Sequence, residues 1–227
     1  MTKAERLEKQ RLRLEEMKIP ERELRQEGYS FIAGVDEVGR GPLAGPVVTA
    51  AVVLPEDFSV LGVDDSKKLS EKRRDELYDE ILDNCLAYGI GMCDHKVIDE
   101  INILQATKKA MREAIDNCNV MLETKNQAKD HSEEATIDFV IIDAVELPDL
   151  EVPQMAVTKG DAKVLAIAAA SIVAKVTRDR MMVEFAKDYP YYAFEKNKGY
   201  GTAAHYDGIR EHGICDIHRK TFLKNIL

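Results

Sequence analysis

Phe31-Ile32-Ala33-Gly34-Val35, cut short by Asp36-Glu37, and Pro46-Val47-Val48-Thr49-Ala50-Ala51-Val52-Val53-Leu54, stopped by Pro55, decide the fold class. The first is a brief apolar run that ends on two acids. The second, rich in Val and Ala, reads as a strand buried on both faces. Working outward, Leu86–Met92 predicts a third strand, weakened by Gly89 and Gly91. Ile137–Ile142 predicts a fourth, ending at Asp143, and Val152–Thr158 a fifth, with Pro153 marking an edge. Helices are expected from the Ser70 cap to about Cys85, over Lys96–Cys118, from Ala162 to about Lys187 (the longest), and from Thr202 to Gly213. Residues 119–135 read as polar and turn-like. Three early strands followed by alternating helix and strand predict an α/β fold, a mixed five-stranded central sheet flanked by helices, with a helical C-terminal segment.

One domain over residues 31–227 is expected, its C-terminal segment starting near residue 188. Residues 1–30 form a charged helical extension. Its sparse leucines (Leu7, Leu12, Leu14) suggest a solvated helix or hairpin packed loosely on the body. The 227 residues are 45% hydrophobic and 32% charged, which excludes a wholly disordered chain. The extension has no apolar core of a secretory signal, and no apolar run reaches the roughly 18–20 residues of a membrane span. Four cysteines without metal or disulfide spacing complete the expectation of a soluble, reduced, cytoplasmic protein.

The formal charge of −9 argues against a polycation that coats nucleic acid, but its distribution changes that reading. Residues 28–158 carry a net −14, whereas residues 159–227 carry +4. Negative charge gathers in the middle, and a basic excess lies where a phosphate backbone would need it.

Asp36, Glu37, Asp143 and Asp161 each follow an apolar strand or the turn after one, where ligand sites of α/β sheets form. Taken singly, Asp161 also reads as a helix cap and Asp143 as a turn residue. Asp36 and Glu37 are adjacent, so they meet one ligand only where the strand ends or bends, which Gly39 permits. Together, the acids would repel unless a cation neutralised them. An oxygen-only set suits Mg²⁺ or Mn²⁺, and two such ions about 3.5–4 Å apart serve in-line phosphodiester hydrolysis.

Other loops carry complementary chemistry. Gly39-Arg40-Gly41-Pro42-Leu43-Ala44-Gly45-Pro46 is not a phosphate-binding Walker loop, yet its glycines allow close backbone approach and Arg40 can pair with a phosphate. Lys67 adds a cation in the Asp65-Ser66-Lys67-Lys68 loop. Ser171, Lys175 and Arg178 fall on one helical stripe, either a solvent face or a phosphate track. Tyr200, between glycines in Lys198-Gly199-Tyr200-Gly201-Thr202, can stack on a sugar or base. His205, His212 and His218 read as structural or solvent-facing.

Asp36 through Pro46 resembles the N-terminal signature of the type 2 ribonucleases H. The segments DSKKLS from Asp65, KGDAK from Lys159, ASIVAKVTRDR from Ala170 and KGYGT through His205 follow in that family's order. The resemblance spans about Ile32 to Phe222. It implies a ribonuclease H-like fold and a metal-dependent endonuclease using Mn²⁺ or Mg²⁺. Such an enzyme hydrolyses the RNA strand of RNA–DNA hybrids, cleaves 5′ of ribonucleotides embedded in duplex DNA, and serves ribonucleotide excision repair. It implies Asp36, Glu37, Asp143 and Asp161 as catalytic metal ligands, a Gly39-Arg40-Gly41 turn that reads the 2′-hydroxyl, and Tyr200 stacked under the junction sugar. Lys67, Ser171, Lys175 and Arg178 are expected as further substrate contacts, and a monomer without membrane association is expected. Two readings stand beside it: a two-metal, resolvase-like DNA nuclease, and a non-catalytic nucleic-acid-binding module in which the acids are caps and turns.

Overall fold

Small and β-branched residues on both sides of a glycine-rich turn favour two extended, largely buried neighbours, and these lie together inside the sheet. The computed structural model describes residues 2–128 and 135–224. Its strands are β1 (Ile32–Val38), β2 (Val47–Val53), β3 (Ala87–Cys93), β4 (Phe139–Asp143) and β5 (Gln154–Val157), in spatial order β3-β2-β1-β4-β5. Strands β1, β2 and β3 pair antiparallel, whereas β4 runs parallel to both β1 and β5. All seven residues of β2 are buried, as its unbroken apolar sequence requires.

The helices are α1 (Lys3–Met17), α2 (Ile19–Gln26), α3 (Glu71–Asn84), α4 (His95–Ile101), α5 (Ile103–Gln127), α6 (Leu165–Asp188), α7 (Phe194–Asn197) and α8 (Ala203–His212). Alternation along the strands divides the core between two faces. Ala33, Val35, Ala51, Val53, Val140 and Ile142 pack with Met111, Ala114 and Cys118 of α5. On the opposite face, Ala50 and Val52 meet α6 with Leu77 and Ile81 of α3, and Ile32 and Ile141 meet Val164 and Ile167. Both helices lie unusually close. A Cβ on Gly34 would stand 2.2 Å from the Ala166 carbonyl carbon, and one on Gly91 2.0 Å from the Ala110 oxygen. The two β3 glycines that weaken its strand signal therefore seat α5.

Four local expectations change. The helix over Lys96–Cys118 is two helices: Asn102 adopts φ +68° and its side chain accepts the Leu104 and Gln105 N–H groups, starting α5 afresh. Helix α5 then runs through the segment read as turn-like, to Gln127, anchored by buried Cys118 and Leu122. Residues 129–134 of that segment lie outside the described residues. At 25 residues α5 exceeds α6, with 24. Finally, the N-terminal hairpin is not loosely packed. Leu14 and Met17 enter the core against α6, and Leu24 packs with Ile32.

Thr202 and Gly213 bound α8 as expected, and Ser70 caps α3. The C-terminal segment folds back on the glycine-rich turn, where Leu43, Ala44 and Met182 pack with Tyr192, Phe194 and Ile209. Among the described residues no helix is long and apolar enough to cross a membrane, and all four cysteines are free thiols.

Candidate active site

Strand register brings the acids together. Val35 of β1 pairs with Ile142 of β4, so Asp36 and Asp143 each lie one step further along parallel neighbours. Alternation turns both toward the α6 face, the side occupied by Ile32, Gly34 and Ile141. Asp161 arrives from the 3-10 turn Gly160–Ala162 that leads into α6. It is not the helix cap; Val164 holds that position. One carboxylate oxygen from each of Asp36, Asp143 and Asp161 lies within 4.8 Å of the others.

Local hydrogen bonds fix two of these side chains. Asp36 Oδ1 accepts the Glu37 N–H at 2.7 Å, and Asp143 Oδ1 accepts the Gly160 N–H at 2.7 Å. Lys67 Nζ donates to Asp161 Oδ2 at 3.1 Å. Burial pushes the Asp36 carboxyl well above its ordinary value, and the charges of Glu37 and Asp143 push the same way. Burial also raises Asp143, with the Gly160 N–H opposing it and the charge of Asp161 adding to it. For Lys67, burial works against the charge, but the hydrogen bond and charge of Asp161 prevail and its pKa rises. The cluster as folded is short of positive charge.

Glu37 stands apart from this triad, because alternation aims it at the other face of the strand. Its Oε1 faces Arg40 Nη1 at 3.3 Å, while Oε2 is buried with no hydrogen-bond partner. Burial raises its pKa, with Arg40 opposing. Tyr200 is 42% exposed, and its ring lies beside Gly41, where a Cβ would sit 3.6 Å from Tyr200 Cε1. The Leu43 N–H donates to the Gly199 oxygen at 2.8 Å, tying the two loops together.

The stripe on α6 is not a surface track. The first half of that helix is buried all round, so its polar side chains find internal partners. Ser171 Oγ bonds Ser66 Oγ at 2.7 Å, and Lys175 pairs with Asp179 at 2.8 Å. Arg178 is fully buried and donates to the Pro46, Ala44 and Lys198 carbonyls. Its expected contact with substrate phosphate is thereby corrected: no N–H of its fork faces solvent. Sequence reasoning missed Arg219 altogether. It is also fully buried, and it donates to the carbonyls of Gly39, Arg40 and Gly45. Within a basic tail it carried no signal beyond its charge.

A mixed sheet in this strand order, with carboxylates gathered on neighbouring parallel strands, has the architecture of the ribonuclease H-like α/β fold. The model of the family Ribonuclease HII matches residues 33–225. Ribonuclease HII of Bacillus mycoides is 52% identical over 215 residues, which is 95% of this chain and 77% of that protein. Ribonuclease HII of Acetivibrio thermocellus is 49% identical over 230 residues, covering 98% of this chain and 84% of its own length. Among solved structures, ribonuclease H2 from Pyrococcus horikoshii superposes with TM-score 0.60 at 27% identity, covering 85% of this chain and 93% of its own. Aquifex aeolicus RNase H3, at 18% identity and TM-score 0.62, shares the fold. The chain belongs to the ribonuclease HII family and is an endoribonuclease of ribonuclease H type.

The donor set fits the divalent cation on which this class depends. It is all oxygen, with neither sulfur nor imidazole among the three clustered ligands. Its carboxylates are held near one another at an electrostatic cost that a cation would reverse. Across the strand from them, Glu37 Oε2 is a further unfilled acceptor, near enough for its charge to raise Asp36.

Proposed function

We propose that the protein hydrolyses the RNA strand of RNA–DNA hybrids and cuts duplex DNA on the 5′ side of embedded ribonucleotides, leaving 3′-hydroxyl and 5′-phosphate ends. The observation that carries this reading is the convergence of Asp36, Asp143 and Asp161 within 4.8 Å, with the exposed residues Arg40 and Gly41 in the turn that follows β1. Asp36, Asp143 and Asp161 would hold Mg²⁺ or Mn²⁺, with Glu37 as the fourth ligand through its unpartnered oxygen. Two bound cations would supply an activated water and neutralise the leaving 3′ oxygen.

The chain's own groups do the rest. The Gly39-Arg40-Gly41 backbone meets the 2′-hydroxyl, the group that separates RNA from DNA. Tyr200, exposed beside Gly41, stacks under the sugar at the junction and so sets the register of the strand. Lys67, anchored by Asp161, places its ammonium where a scissile phosphate would approach the triad. Ser171 and Lys175, engaged within the fold, reach a phosphate only by exchanging their present partners.

The test is cleavage of a duplex with one ribonucleotide beside the same duplex in all DNA and a full hybrid, under Mg²⁺ and Mn²⁺ titration. Cleavage confined to the ribonucleotide-bearing strands supports the proposal. Equal cutting of the all-DNA duplex would point to a DNA nuclease, and tight binding without cleavage at any metal concentration to a binding module. Asp36→Asn should lose nearly all turnover while keeping the fold. Tyr200→Ala should weaken cleavage at the single ribonucleotide more than it weakens metal binding; unchanged junction cleavage would remove Tyr200 from the site.

A further inference from the structure

Two arginines with no solvent exposure and, among the described residues, no ion pair converge on the turn that follows β1. Burying a guanidinium without an anion is costly unless its donors are saturated. Here the donors go to main-chain carbonyls. Arg219 gives Nη2 to Gly39 at 2.6 Å, Nη1 to Arg40 at 3.2 Å and Nε to Gly45 at 3.0 Å. Arg178 gives Nε to Pro46 at 2.9 Å, Nη2 to Ala44 at 3.1 Å and Nη1 to Lys198 at 2.8 Å. A turn between two strands does not need that investment to hold its shape.

The peptide geometry shows what the arrangement achieves. In a trans peptide the carbonyl and the following N–H point to opposite sides. Drawing the Gly39 carbonyl inward turns the Arg40 N–H outward, and drawing in the Arg40 carbonyl does the same for Gly41. Both residues are exposed, and no described acceptor takes either N–H. Gly39 is held at φ +93°, and a Cβ there would lie 2.3 Å from Arg178 Nε, so the turn and its braces fit one another closely. Through Lys198, Arg178 also joins the turn to the loop that carries Tyr200.

We propose that Arg219 is a positioning residue for ribose recognition: it fixes the Gly39 and Arg40 carbonyls inward so that the Arg40 and Gly41 N–H groups are presented, already oriented, to the 2′-hydroxyl. Arg178 locks that turn to the Tyr200 loop. Neither arginine touches substrate. This rests on the reading that the turn contacts the 2′-hydroxyl, and the experiment separates the two.

Binding of a duplex with one ribonucleotide and of its all-DNA counterpart is measured with Ca²⁺ in place of the catalytic cation, for wild type and Arg219→Lys, with Mn²⁺ affinity from electron paramagnetic resonance as the control. Lysine keeps the charge but cannot span three carbonyls. Wild type should prefer the ribonucleotide duplex. Arg219→Lys should lose most of that preference, about tenfold, while binding all-DNA duplex and Mn²⁺ as wild type does. A wild type without preference would overturn the reading of the turn. A folded Arg219→Lys that keeps the full preference would overturn the role of Arg219 alone. Amide exchange in the wild type tests the same point without any variant. The Arg40 and Gly41 amides should exchange rapidly in the free protein and become protected on adding the ribonucleotide duplex but not the all-DNA duplex. Protection of these amides in the free protein would refute the proposal.

Discussion

Glu21→Gln should stabilise the protein at alkaline pH and leave it nearly unchanged in mild acid. Glu21 lies in α2, at the seam between the N-terminal hairpin and the first turn of α6, and is only 6% exposed. Burial lifts its pKa from 4.5 to about 7, against the opposing charges of Arg25 and Lys18 and the Ala166 N–H. Between those two values the folded chain keeps a proton that the unfolded chain has released, so stability falls as pH rises through the window. Below pH 4.5 both states are protonated and the penalty vanishes. Above pH 7 it is complete, and the gap of pKa corresponds to about 3 kcal/mol.

Glutamine imitates the protonated acid and does not titrate. Glu21 Oε2 has no hydrogen-bond partner, so an amide nitrogen there loses nothing that a protonated carboxyl had. Urea unfolding of both proteins from pH 4.5 to 8.5 gives the difference directly. The expected difference is near zero at pH 4.5 and grows to about 3 kcal/mol in favour of the variant at pH 8. A variant equally or less stable at pH 8 would mean that the carboxylate is ionised in the fold and held by Arg25 and Lys18, and the reasoning would fail.

The buried histidines should produce the opposite slope. His205 Nδ1–H donates to the Tyr200 carbonyl at 2.9 Å, which leaves its Nε2 to accept from His218 Nε2 at 3.0 Å, while His218 Nδ1 accepts the Cys215 N–H at 2.9 Å. Burial lowers His205, and burial with the neighbouring ring pushes His218 down to about 4. The unfolded chain binds protons first, so stability is expected to fall as pH drops from about 6.5 toward about 4; urea midpoints in the Glu21→Gln background, free of the contrary contribution, should show this slope, and a flat acid limb would contradict it. Gly34→Ala places a methyl 2.2 Å from the α6 backbone, so α6 must move. A loss of about 1–3 kcal/mol, read by thermal unfolding, should accompany reduced turnover, because Asp161 leads into the displaced helix. Wild-type melting and activity would show instead that α6 yields without disturbing the site.

Strands were legible wherever burial on both faces imposed an unbroken apolar run, as in β2, and wherever proline marked an edge, as at Pro153 before β5. Helix ends were legible where a side chain closes them, at Ser70 and Thr202. The break at Asn102 was not legible, although its side chain caps α5, because the apolar pattern runs on across it from Ile98 and Ile101 to Leu104 and Ala110. The last turns of α5 are polar because the helix there touches the core on one side only, through Cys118 and Leu122, and a weak stripe reads as a loop. The same applies to α1, whose Leu14 and Met17 are buried although its leucines are sparse. In the site, position at strand ends disclosed the acids. The separation of Glu37 from the triad also followed from alternation, once β1 proved to continue through it. The arginine braces did not, because the sequence shows a charge but not its depth.

The buried hairpin and the internal ties of Ser171 and Arg178 share one cause. Helix α6 is the central support of the molecule: Asp161 leads into it, Gly34 admits it against β1, and Arg178 reaches from it to the glycine-rich turn. Where the helix is enclosed it cannot spend its polar residues on solvent, so Ser171 and Arg178 became internal ties. Its start must then be held from outside the strands that it covers. The N-terminal hairpin does this, with Arg13 donating to the Ala162 carbonyl next to Asp161 and facing Asp64 at 3.4 Å, in the loop that carries Lys67. Glu21, buried at a cost beside the first turn of α6, belongs to the same contact. Residues 3–26, which precede the stretch matched by the family model, thus bear on the position of a carboxylate of the proposed site, and the stability forfeited at Glu21 is the energetic trace of packing charged helices against an apolar one.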